Sequence, residues 1–353
     1  MSSGIRVSPG ILALRVDADA RIGLGHAMRC FALAEEWCAR GGQAVFFSGA
    51  ELPGPVRARL DGAGIAHMVL AGPDNGGRFA DAASRMHAHW LVVDGSFASP
   101  DYLDRLRAGR SRILLMDDAA SGEYYPCDLL LNQNVQASVE AYADRTDAKV
   151  LAGTGFALIR ADMRENIPPR IIPDLPRCIL VLVGGADPGG HLEGLTEAAV
   201  KAFRQAGITD SRIDAVVGPA SAWRTSANID PMITYHRDVK DMSGLISQAG
   251  LVVSSAGSTV WELSLHGAPM ILGASVPIEE PVGASMAAKG AALYLGRLSE
   301  CPVQQLVAEI IRLLHDSTVR RKLSATASTL VDGRGAERVT GAMLAFDVGN
   351  SVT

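Results

Sequence analysis

Three short blocks combine residue types that do chemistry with spacings that present them together. The first is Arg15-Val-Asp17-Ala-Asp19-Ala-Arg21-Ile-Gly23-Leu-Gly25-His26-Ala-Met-Arg29. An apolar run ends near Asp17, the glycines permit a tight turn, and a helix is expected to start at Gly25 or His26. Exposed N–H groups at such a start suit an anion, and His26 would project from the loop–helix junction. Histidine is the side chain best placed by its ordinary pKa to take up a proton near neutrality, so His26 is the candidate general base. The plainer alternative is that it caps or packs the helix start. Asp17-Ala-Asp19 also fits the D-x-D spacing that can hold a metal–diphosphate. That pattern is common by chance and here precedes a glycine turn, so no metal site is expected.

The second block is Val252-Val-Ser254-Ser255-Ala-Gly257-Ser258-Thr259-Val-Trp261-Glu262. A buried strand runs into a Ser/Gly/Thr loop, with a helix expected from about Ser258. An ordinary helix cap needs one hydroxyl. The density here suits a cradle for a diphosphate, with backbone amides and hydroxyls as donors. Glu262, one helical turn on, is placed to accept hydrogen bonds from ribose hydroxyls. The third block, Val183-Gly184-Gly185-Ala-Asp187-Pro-Gly-Gly190, lies at another strand end and permits close backbone approach to a ligand, or is a plain turn.

Other chemistries find no support. Neither G-x-G-x-x-G nor G-x-x-x-x-G-K-[ST] occurs between a strand and a helix, so no dinucleotide cofactor or P-loop is expected, and no cofactor at all. Gly257-Ser258-Thr259 lacks the second glycine of a nucleophile elbow. His67, His87, His89, His191, His236 and His266 show no metal-ligand spacing.

The elements that must position these blocks are short apolar runs alternating with Ala-rich helical segments. Strands are expected at 11–16, 44–48, 67–70, 90–93, 113–116, 129–131, 178–183, 213–217, 232–235, 251–254 and 270–272. Most lack polar alternation, as in parallel sheets covered on both faces. Helices are expected at 26–40 and 192–206 among others. The class is α/β, doubly wound. Prolines at 168, 169, 173 and 176 mark a break. This gives an N-terminal Rossmann-like domain over 1–165 with the catalytic loop, a linker over 166–177 and a nucleotide-binding Rossmann-like domain over 178–310. Helices at 311–353 are expected to pack back on the first domain. Two such halves facing each other would hold a ligand in a central cleft.

Composition bounds the partners. With 353 residues, 48% of them hydrophobic, two cores are expected. A net charge of −5 argues against a nucleic-acid partner but not against one nucleotide. Ser2, Ser3, Arg6 and Pro9 precede an apolar stretch too short for a secretion signal, and no run reaches membrane-spanning length. Five cysteines, Cys30, Cys38, Cys127, Cys178 and Cys301, form no C-x-x-C pair, and Cys30 and Cys38 are expected to be buried thiols. On these features the protein is expected to be cytoplasmic. Nothing indicates an oligomeric state.

The blocks are collinear with those of one family. They are Arg15-x-Asp17 with Ile22-Gly-x-Gly-His26-x-Met-Arg-Cys30, Met116-Asp-Asp118, Cys127-Asp-Leu-Leu-Leu-Asn132-Gln-Asn134, Gly153-x-x-Phe-Ala-Leu-Ile-Arg160, Val183-Gly-Gly-Ala-Asp-Pro188, Ser254-Ser-Ala-Gly-Ser-Thr259 and Trp261-Glu262. Over roughly 11–300 the chain resembles the UDP-2,4-diacetamido-2,4,6-trideoxy-β-L-altropyranose hydrolases of pseudaminic acid biosynthesis. That family is related to spore-coat polysaccharide proteins and, more distantly, to GT-B glycosyltransferases of the kind that make lipid II.

The resemblance implies a GT-B fold and metal-independent, inverting attack of water at the anomeric carbon, activated by His26, with UDP leaving. It also implies a role in flagellin glycosylation. It adds Arg15, Asp17, Gly23, Gly25, Arg29, Arg160 and Gly185 to a substrate-binding set with Ser254, Ser255, Gly257, Ser258, Thr259, Glu262 and Glu279. Two places depart from the family pattern. Asp-His-Tyr is here Asp94-Gly95-Ser96, and Asn-Gln is here Ile278-Glu279. Both are expected near the sugar, to which Glu279 is assigned. The alternatives are a GT-B glycosyltransferase, which passes the sugar to an acceptor, and a non-catalytic nucleotide-sugar sensor, which would not need His26.

Overall fold

Runs of leucine and β-branched residues become strands where both faces must be buried at once. In the computed structural model, which describes residues 9–224 and 230–349, these runs form two separate parallel sheets. Ser2, Ser3 and Arg6 lie outside the described residues. The first sheet holds β1 (Ile11–Val16), β2 (Gln43–Ser48), β3 (Ala66–Val69), β4 (Trp90–Asp94), β5 (Arg112–Met116), β6 (Leu129–Asn132) and β7 (Lys149–Ala152). Its order is β3-β2-β1-β4-β5-β6-β7. The second holds β8 (Cys178–Leu182), β9 (Arg212–Val216), β10 (Ile233–His236), β11 (Leu251–Ser255), β12 (Met270–Ala274) and β13 (Leu293–Arg297), in the order β10-β9-β8-β11-β12-β13.

Each sheet reverses its winding once, between β1 and β4 in the first and between β8 and β11 in the second. Loops leaving the carboxyl ends of two strands on either side of such a reversal diverge to opposite faces and leave a crevice. In the first sheet the loops after Val16 and Asp94 meet this condition, since those residues are register partners. In the second, the loops after Leu182 and Ser254 do, for the same reason. All three chemistry-bearing blocks therefore leave strands at a switch point.

Two strands were not anticipated. β7 is four residues opened by an exposed lysine, and β13 carries Gly296 at φ +80° beside a register shift against β12. Both are edge strands, where the apolar signal is weakest. β3, the opposite edge of the first sheet, is largely exposed rather than covered.

Contacts group 9–18, His26–Arg160 and 334–349 into one unit, and Asp19–Gly25 with Ala161–Gly333 into another, among the described residues. The proline-rich stretch belongs with the second unit because buried guanidinium groups hold it there. Arg170 donates to the carbonyls of Ile246 (2.7 Å) and Ser247 (3.2 Å) at the end of the Met242–Gln248 helix. Arg320 donates to Leu314 and Asp174 carbonyls, each at 2.9 Å. Each arginine thereby donates to carbonyls in the last turn of a helix, where fewer backbone donors reach them.

The last described helix, Gly335–Gly349, starts against the Thr154–Phe156 turn of the first unit. A Cβ at Gly335 would lie 2.1 Å from the Ala157 carbonyl oxygen, an approach only glycine allows. Gly335→Ala must push the helix off its seat. A loss of about 1–3 kcal/mol is expected, as for other overpacking changes. It would read as a melting midpoint lower by several degrees. An unchanged thermal melt would show that the seat yields freely.

Candidate active site

The Gly25–Ala39 helix begins directly after the glycine turn, and its first turns place His26 and Arg29 three residues apart on one face. That face meets the end of β4. His26 Nδ1 lies 2.6 Å from Asp94 Oδ1. Arg29 donates to both oxygens of Asp94, each at 2.7 Å, and to both oxygens of Asp118, at 2.7 and 2.9 Å. The Asn134 side-chain amide donates to Asp118 Oδ1 at 3.0 Å and to its carbonyl at 3.2 Å. Asp94 is completely buried, whereas the His26 side chain keeps 31% of its surface exposed.

Bidentate pairing on both edges of one guanidinium is what makes this buried charge tolerable. Burial alone would raise the Asp94 pKa, but Arg29 and then His26 hold it far below the ordinary carboxylate range. Asp118 is likewise lowered by Arg29 against the burial that would raise it. The Asp94 charge raises the His26 pKa above 6.5, opposed by burial and by Arg29. Burial pushes up the neighbouring Cys30 thiol, which makes it a packed thiol and no nucleophile. Cys38, by contrast, is only half-buried.

The chemistry follows from which nitrogen is engaged. A carboxylate at Nδ1 holds the proton there and leaves Nε2 as the acceptor, as in a histidine general base oriented by an acid. Arg29 keeps Asp94 ionised and fixed in place, so it positions rather than reacts.

The remaining candidates from the N-terminal half of the chain are held internally. Arg15, buried, donates to Asp17 (2.7 Å) and Asp74 (3.3 Å) and lies 4.1 Å over the Phe97 ring. Asp17 also accepts from Gly49 N–H at 2.7 Å, and Asp19 accepts from the amides of Arg21 and Ile22 at 2.7 and 2.6 Å. The D-x-D pair therefore shapes its own loop, with Gly23 N–H bonded to the Asp19 carbonyl. Among the described residues no group of three or more His, Cys, Asp and Glu forms a metal-ligand cluster. Gly25 is the first residue of the helix, and Arg160 is buried at the end of the unit. The Gly95 departure has a steric reason: a Cβ there would stand 2.5 Å from the Phe97 ring.

In the second unit, Ser254 and Ser255 are buried at the end of β11, and Thr259–Leu265 is the helix that follows, with Glu262 in its first turn. Ser258 makes no side-chain capping bond. The amides of Gly257, Ser258 and Thr259 have no partner among the described residues. Gly185 lies in the turn after β8, against which Gly218 packs at a distance no side chain would permit. Glu279 does not stand apart from this loop. Its Oε2 accepts from the Ser275 amide at 2.7 Å, and a Cβ on Gly257 would be 2.8 Å from its Oε1.

Sequence reasoning did not select Asp94 and Asp118 as functional, although both sit in or beside the quoted blocks. The signal was there in Asp94, the residue kept where Gly95 and Ser96 depart from the family pattern.

No protein-family model matches the chain. The spore coat polysaccharide biosynthesis protein SpsG of Bacillus subtilis is 30% identical over 168 residues, 46% of this chain and 49% of that protein. The match thus spans about half the length of that relative. Among solved structures, Acinetobacter baumannii MurG covers 95% of this chain and 99% of its own at a TM-score of 0.64 and 14% identity. The spinosyn rhamnosyltransferase SpnG complexed with thymidine diphosphate covers 93% and 99% at 0.63 and 15%. At these identities the likeness shows the fold: two Rossmann-like α/β units of the GT-B kind, as the sequence led us to expect. Among the described residues no helix is long and apolar enough to cross a membrane.

Proposed function

We propose that the protein cleaves the bond between the anomeric carbon of a nucleotide-activated sugar and its diphosphate, passing the sugar to a hydroxyl acceptor in polysaccharide biosynthesis. The observation that carries this is His26, held through Nδ1 by a buried carboxylate with its other nitrogen left to take a proton. In the reaction the acceptor hydroxyl gives its proton to Nε2 as its oxygen bonds to the anomeric carbon. The electron pair of the breaking C–O bond leaves with the nucleoside diphosphate. The loop after β11, with Ser254, Ser255, Gly257, Ser258 and Thr259, holds the diphosphate, and Glu262 the ribose. Likeness in fold to a rhamnosyltransferase solved with thymidine diphosphate, and in sequence to a polysaccharide biosynthesis protein, supports transfer.

A second reading, hydrolysis of UDP-2,4-diacetamido-2,4,6-trideoxy-L-altrose with water in place of the acceptor, is favoured by the collinear motif blocks around His26. The base and loop serve both reactions. Incubating the protein with a panel of UDP- and dTDP-sugars, with and without polysaccharide acceptors, separates them. Nucleoside diphosphate release that requires acceptor supports transfer, equal release without acceptor supports hydrolysis, and no release from any donor would defeat both.

The pH dependence has a defined sign. Because the folded-state pKa of His26 is raised above 6.5, the neutral base accumulates only as pH rises through that higher value. The profile of kcat/KM should rise with unit slope and reach half its plateau above pH 6.5. The stability contribution runs the other way: it is full below 6.5 and is lost as pH rises through the raised value. A limb with its midpoint below 6.5 would contradict the role assigned to Asp94.

A further inference from the structure

Resting on the nucleotide-loop reading above, we propose that Glu279 closes the empty loop with its own carboxylate, and that a diphosphate binds only once that charge is expelled or neutralised. The carboxylate stands against the loop that would hold the anion. One oxygen takes the Ser275 amide at 2.7 Å, and the other stands 2.8 Å from where a Gly257 side chain would begin. The Ser255 hydroxyl lies 3.7 Å from that point. The turn of small residues is therefore flanked at Gly257 by an internal acid.

Among the described residues no cation pairs with that acid. The loop after β11 offers hydroxyls and backbone, and β12 leads to Ser275. β13 brings Tyr294 and Arg297, but Arg297 is held by Glu280 at 2.8 Å and Glu300 at 3.3 Å. Glu280, beside Glu279 in the chain, is itself taken up by Arg297. Burial accordingly raises the Glu279 pKa, only partly offset by the Ser275, Val276 and Ser255 hydrogen bonds. A dianionic ligand brought against this carboxylate must expel it or find it protonated. The first course lowers apparent affinity by the fraction of molecules in which the loop is closed. The second makes binding take up a proton.

The position explains why glutamate here is no neutral exchange for an amide. Glutamine keeps an oxygen for the Ser275 amide, so it preserves the turn while removing the charge. That makes Glu279→Gln the informative variant, and Glu279→Ala a second one that removes the plug altogether.

Isothermal titration of the full chain with UDP, at pH 6 and pH 8 and in buffers of different ionisation enthalpy, reads both effects. UDP's own terminal phosphate titrates near pH 6 and is common to all the proteins, so the difference from wild type isolates Glu279. Glu279→Gln and Glu279→Ala are each expected to bind UDP about tenfold tighter than wild type at pH 8, with the gap narrowing at pH 6. Both should lose the part of proton uptake that wild type shows beyond the ligand's own. Equal or weaker binding by both variants at pH 8, with wild type binding UDP, would overturn the gate and leave the loop as the nucleotide site. Failure of folded wild type and both variants to bind UDP or dTDP would overturn the gate together with the nucleotide reading.

Discussion

Replacing His26 with asparagine is expected to lower turnover by about 10²–10⁴-fold, the usual worth of a positioned acid–base group. Asparagine retains a hydrogen-bonding group toward Asp94 but offers no nitrogen able to take a proton. Affinity for UDP alone should stay near that of wild type, because the proposed nucleotide contacts come from the second unit. The expected signature is a fall in kcat with little change in UDP binding by calorimetry. Wild-type turnover in a folded His26→Asn protein would remove the residue from the mechanism.

Asp94→Asn should act on both stability and rate. The carboxylate is completely buried and takes two bonds from Arg29 and one from His26. Breaking a buried pair by neutralising one partner typically costs about 3–5 kcal/mol. Asp118 remains to hold Arg29, which favours the lower end of that range. Turnover should fall by about 10²–10⁴-fold, since the group that fixes the proton on Nδ1 is gone. The pH limb should also move down. Asp94 is the largest influence raising the His26 pKa, and burial and Arg29 then act unopposed except by the more distant Asp118. A structural role alone would lower the melting temperature without moving that limb.

The Asp94 charge also ties stability to acid. Its folded-state pKa is depressed, so its contribution is present above the ordinary carboxylate pKa of about 4 and is lost as pH falls below it toward the folded value.

The fold was largely legible because buried parallel strands announce themselves as unbroken apolar runs; Cys178–Leu182 and Leu251–Ser255 are such cases. β7 and β13 were not, since an edge strand can be short, polar at its start or broken by a glycine in a bulge. The site divides in the same way. His26 and the Ser254–Thr259 segment are local signals, each a loop joining a strand to a helix. Asp94 is 68 residues from His26, and its importance depends on β4 lying beside β1, a pairing that no periodicity encodes. Arg15 shows the converse. It reads as a ligand-binding cation, yet in the fold it binds Asp17 and Asp74 and covers Phe97. Glu279, assigned from sequence to the sugar, lies against Gly257 because the Pro277–Glu279 turn brings it back toward the end of β11.

Bond position is the central claim, and an isotope follows it directly. A nucleotide-sugar that the protein turns over, labelled with ¹⁸O in the bridge between the anomeric carbon and the β-phosphate, is converted and its products are weighed by mass spectrometry. Attack at the anomeric carbon, whether by an acceptor hydroxyl or by water, leaves the whole label in the nucleoside diphosphate. Label found in the released or transferred sugar would mean that the phosphorus–oxygen bond had broken instead, and His26 would then have no role at the carbon to which it is assigned.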